Sequence, residues 1–72
     1  MEHDVIEVIR YLNSADGPHM PLRAIAPYLG VPFNQLAGYL HGAVPREETR
    51  KRLEKGTREL IQEIMREGKW LL

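Results

Sequence analysis

The side chains able to do covalent or metal chemistry are few in this chain, and they are scattered. His3, His19 and His41 share no ligand spacing, and with no cysteine beside them a metal site is not expected. Ser14 is the only serine, so nucleophilic catalysis has little to work with. The carboxylates near these groups, Asp4 and Asp16, make no acid–base pair set in a cleft. The residues therefore point away from an enzyme, and no cofactor or small-molecule substrate is expected.

What remains is a chemistry of charge. Arg46, Arg50, Lys51, Arg52, Lys55 and Arg58 outnumber Glu47, Glu48 and Glu54 along one stretch. Such a run can grip phosphates. It can equally be the solvated face of a helix, with Glu47–Lys51 and Glu48–Arg52 pairing across a turn. The whole chain carries 10 basic and 10 acidic residues, which excludes a histone-like binder. The distribution is less even: residues 1–31 hold two basic and four acidic side chains (−2), and residues 32–72 hold eight and six (+2).

The chain that must position these groups is 72 residues long, one domain spanning residues 1–72 and close to the lower size at which a core alone suffices. Its 43% apolar content is enough to fold. No apolar run approaches a membrane span. The acidic start "MEHDVIEVIR" lacks the basic leader of a signal peptide. Cytoplasmic placement is the default expectation.

Helical periodicity runs through the sequence. In "DVIEVIRYLNS", Val5, Val8, Ile9 and Leu12 follow the i, i+3, i+4, i+7 rule, with Asp4 as N-cap and Glu7 completing a capping-box-like pair. The β-branched Val5, Ile6, Val8 and Ile9 would suit a strand, but their adjacent pairs break strict alternation. Gly17-Pro18 breaks the helix, and Pro21 fits the first turn of the next. "PLRAIAPYLG" puts Leu22, Ile25, Ala26 and Leu29 on one face and stops at Gly30; Pro27 within it predicts a kink. "FNQLAGYLHG" offers Phe33, Leu36, Tyr39 and Leu40 to a core, with Gly42 as the stop.

The last segment starts with Pro45 in a first-turn place and carries Leu53, Leu60, Ile61 and Ile64 on its stripe, with Met65 alongside. Gly56 predicts either one kinked helix or two short ones, residues 57–72 then forming a C-terminal helix and apolar tail. No strand is expected anywhere. The fold class is all-α, a small domain of four to five helices.

The stretch Leu22 to about Lys55 resembles the helix-turn-helix of the phage-repressor-type (XRE-like) and lactose-repressor-type DNA-binding domains. Ala26 is the small residue where a second helix crosses closely. Gly30, four residues on, can take the positive φ of the tight turn, and Val31 plugs that turn. Leu36 and Tyr39 fill the buried places of the second helix. The resemblance implies a central, lambda-repressor-like helix-turn-helix. It implies further that Phe33, Asn34, Ala37, Gly38 and His41 face the major groove, with Pro32 and Gln35 flanking. Asn34 or Gln35 would contact adenine, and Phe33 or Ala37 a thymine methyl. His41 would reach a phosphate, as would Arg23, Arg46, Arg50, Lys51 and Arg52. The segment carries no Arg or Lys for guanine.

Two functions fit. The first is a sequence-specific regulator of double-stranded DNA, paired as a homodimer through Leu60, Ile61, Ile64, Met65, Trp70, Leu71 and Leu72. The alternative is a protein-binding module on the same scaffold, docking on RNA polymerase or another regulator. That reading predicts an exposed apolar patch around Phe33, Ala37 and Gly38.

Overall fold

The computed structural model describes residues 4–67, and these form four helices and no strand. Helix α1 spans Val5–Asn13. It begins at Asp4, whose carboxylate accepts a hydrogen bond from the Ile6 N–H at 2.8 Å. Val5, Ile9 and Leu12 are its buried positions, the i, i+4, i+7 stripe of an amphipathic helix. The β-branched residues thus run as helix because one face of that helix can be buried.

The turn that follows is held more firmly than its breaker residues suggest. The Met20 N–H donates to the Leu12 carbonyl at 2.8 Å, and the Asn13 side-chain amide donates to the Met20 carbonyl at 2.7 Å. These two bonds pin the end of α1 to the start of the next helix. They also carry Met20 into the core, fully buried, a place its position in a loop does not advertise.

Helix α2 spans Leu22–Leu29, and Pro21 stands just outside it as the capping residue rather than in its first turn. Pro27 lies inside α2 on its exposed side, and the helix continues past it to Leu29. Gly30 ends it with φ 68°, its N–H returning to the Ala26 carbonyl at 3.1 Å. Helix α3, Phe33–Leu40, starts after Pro32. It closes on Gly42, at φ 114°, with Ala43 N–H on Gly38 O at 3.0 Å and Gly42 N–H on Tyr39 O at 3.3 Å. That bond pair is a Schellman motif, which satisfies the last carbonyls of the helix. Arg10 of α1 adds a charged cap, donating from Nη2 to the Leu40 carbonyl at 2.9 Å.

Helix α4 is a single helix of 21 residues, Glu47–Glu67, and neither kinks into two nor begins at Pro45, which is buried two places before it. Its uninterrupted path through Gly56 has a packing cause. A Cβ on Gly56 would collide with the Tyr28 carbonyl oxygen and stand 2.8 Å from Leu29 Cα. The two helix backbones therefore touch at this crossing, and glycine is the residue that lets them. Helix α4 packs on α2 and α1, while α3 packs on α2 and α1. Ile9, Met20, Ile25, Leu29, Leu36, Leu53 and Leu60 are the fully buried apolar side chains where these faces meet.

One polar group is enclosed with them. Thr57 is fully buried, and its hydroxyl has no hydrogen-bond partner among the described residues. Burying an unpaired hydroxyl costs about 1–3 kcal/mol. Thr57→Val keeps the branched shape and removes that cost, so urea unfolding should show a gain of about 1 kcal/mol. A lower midpoint would mean that the hydroxyl has a partner in solution.

Among the described residues no helix is long and apolar enough to cross a membrane.

Candidate nucleic-acid interface

Each residue of a helix turns ~100° from the last, so the burial of Leu36 and Tyr39 decides which side of α3 faces out. Asn34, Ala37, Gly38 and His41 share that outer side. Asn34 and His41 are exposed, and Ala37 and Gly38 half-buried. A Cβ built on Gly38 would find nothing within 4 Å among the described residues, so the middle of this face has open space. The Asn34 side chain makes no hydrogen bond among the described residues. Its amide presents a donor and an acceptor side by side, both unspent.

The neighbours of Asn34 are engaged. Gln35 donates from Nε2 to the Tyr39 hydroxyl at 2.6 Å, one turn along the same helix. It thereby serves a nearly buried phenol rather than the open face. Phe33 is half-buried, and the Arg23 guanidinium of α2 lies over its ring, 4.6 Å from the centroid. That cation–π contact holds a positive charge at the start of α3 and covers the aromatic face. Pro32 is exposed ahead of it.

The basic residues of the α4 region divide. Arg52 runs past the α2–α3 turn, its Cδ 3.6 Å from the position a Gly30 Cβ would occupy. Arg50 is about 160° away around the α4 axis. There it joins Asp4, Glu7 and Arg10 in lining an open groove of about 310 Å³ between the start of α1 and the segment Gly42–Pro45. Lys51 is exposed on the outer side of α4, and Arg46 is exposed just before the helix begins. The structure thus puts Asn34, Ala37, Gly38 and His41 on one side of α3, stacks Arg23 on Phe33 at the start of that helix, leaves Arg52 beside the α2–α3 turn, and sends Arg50 to the opposite flank of α4.

A further signal lies in what the middle of the sequence omits. Between Asp16 and Glu47 there is no acidic residue, while Arg23, His19, His41 and Arg46 all fall in that stretch. Helices α2 and α3 together therefore present no carboxylate to repel a polyanion. Dividing the charge at residue 31 conceals this, because the acidic groups of α1 are then counted with α2.

Of the residues read as a dimer face, Leu60 and Ile64 are buried within their own chain, drawn in by α4 packing. Ile61 is half-buried against the core, and Met65 is 74% exposed. Trp70, Leu71 and Leu72 lie outside the described residues. No group of three or more His, Cys, Asp or Glu able to hold a metal occurs among the described residues.

No protein-family model, curated protein or solved structure matches this chain.

Proposed function

We propose that this chain is a small DNA-binding regulator of helix-turn-helix type, with α2 crossing above the groove and α3 laid into it. The observation that carries the reading is the outer side of α3. It is open at Gly38 and offers the unspent amide of Asn34; Arg23 stacks on Phe33 at the start of the helix, Arg52 lies beside the α2–α3 turn, and no acidic residue occurs on α2 or α3. The buried Ala26 and left-handed Gly30 support the same assignment, being the small residue and the positive-φ turn residue that it requires. A single such unit reads a short half-site, so the regulator works as a homodimer across two half-sites about one helical turn apart. A cytoplasmic site of action goes with that role.

Docking of a protein on the same face requires an exposed apolar patch around Phe33, Ala37 and Gly38. The large exposed apolar side chains among the described residues are elsewhere: Tyr11, Tyr28, Val44 and Met65. The DNA reading is the better supported of the two.

Amide NMR spectra of labelled protein titrated with mixed-sequence duplex at low salt test it. Shifts gathered on Phe33–His41, Arg23 and Arg52 are the expected result. A spectrum that ignores duplex DNA at low salt would overturn the proposal.

A further inference from the structure

We infer that the half-site this chain reads is built on adjacent A·T pairs, recognised by Asn34 and Ala37. The inference rests on the DNA-binding reading above and specifies its ligand.

Three observations select the bases. First, α3 carries no Arg or Lys, so nothing on it can make the bidentate contact to guanine O6 and N7. Second, the one side-chain amide on the open side is that of Asn34, whose donor and acceptor match adenine N6 and N7. Gln35, the other amide of matching chemistry, is held by the Tyr39 hydroxyl at 2.6 Å and faces that ring instead. Third, the remaining groups on the outer side are the methyl of Ala37, the bare Cα of Gly38, where an added Cβ would meet nothing within 4 Å, and His41 at the helix end, whose place there suits a phosphate rather than a base edge. A methyl is the partner of the thymine C5-methyl and of nothing polar.

Spacing then orders the contacts. Asn34 and Ala37 are three residues apart, a rise of about 4.5 Å along the helix. Successive base pairs are about 3.4 Å apart along each strand. The two side chains therefore meet neighbouring pairs, an adenine read by hydrogen bonds and a thymine read by contact. Gly38, the next residue along, leaves room for that methyl. Arg23, stacked on Phe33 at 4.6 Å, and Arg52, beside the α2–α3 turn, are the cations near the start of α3 that would anchor the phosphates.

The test is selection of bound sites from a random duplex pool with the full chain, repeated with Asn34→Ala and Gln35→Ala. The expected result is an A·T step in the selected site. Asn34→Ala should relax the preference at one pair about tenfold and leave binding of non-specific duplex intact. Gln35→Ala should leave the base preference as it is. Selected sites with G·C at the read pairs, or an unchanged preference in Asn34→Ala, would overturn the inference while DNA binding itself stands. Failure of the wild-type chain to retain any duplex would overturn both readings.

Discussion

Replacing Gly56 with alanine is expected to lower the stability of this chain by about 3 kcal/mol. In an open helix the same change is favourable by about 1 kcal/mol, because glycine has the larger conformational freedom to lose. Here the added methyl meets the Tyr28 carbonyl oxygen, Leu29 Cα at 2.8 Å and Leu29 Cδ2 at 3.0 Å. Two of these three atoms are backbone, which no rotamer change can move aside. Relief requires α2 to lift from α4, loosening Leu29 and Leu53, both at most 1% exposed. The expected loss is a large share of the ~5–10 kcal/mol that holds a small domain together. Gly38→Ala supplies the control. That position has open space and an ordinary helical backbone, so the same substitution should stabilise by about 0.5–1 kcal/mol. Urea unfolding followed by circular dichroism measures both, and a Gly56→Ala protein as stable as wild type would show that α2 and α4 do not touch.

Raising the salt from 50 to 200 mM should weaken duplex binding by about a hundredfold. On the proposed reading Arg23, at the start of α3, and Arg52, beside the α2–α3 turn, make two phosphate contacts per chain and four for a pair of chains on two half-sites. Four neutralised phosphates correspond to a log–log slope of about −3.6. Arg50→Ala, a change within the groove beside Asp4 and Glu7, should leave the slope nearly as it was. Removing Arg23 and Arg52 together should flatten most of it. Fluorescence anisotropy across a salt series reads the slope directly. A salt-independent affinity would remove phosphate anchoring from the picture.

The apolar spacing and the punctuating glycines made most of the helical order legible. Val5, Ile9 and Leu12 repeat at a helical interval, and Gly30 and Gly42 end α2 and α3 by taking positive φ. Gly56 is where local reasoning misleads. Propensity marks it as a weak point within a helix, whereas its role is set by Tyr28 and Leu29, residues nearly thirty positions earlier in the chain. Met20 was hidden for a related reason: its burial follows from two hydrogen bonds to α1, and a loop position carries no periodicity. Pro45, read as a first-turn proline, is buried two places before α4 begins.

The candidate site was legible as a set of residue types and only partly as an arrangement. Asn34, Ala37, Gly38 and His41 follow from one helical face, which spacing reveals. The pairing of Gln35 with Tyr39 and of Arg23 with Phe33 depends on side-chain direction and on the angle between helices, which spacing leaves open. The basic run was misleading as a unit, since a helix spreads consecutive residues around its axis and sends Arg50 and Arg52 to opposite flanks.

The open space above Gly38 has an evolutionary consequence. A side chain added there meets nothing within 4 Å, so whatever this face of α3 binds can change by substitution at Gly38 while the fold is unaffected. Related chains could diverge at this one position into proteins with separate targets. Gly56 sits at the other extreme: there a single methyl is selected against whatever the chain binds.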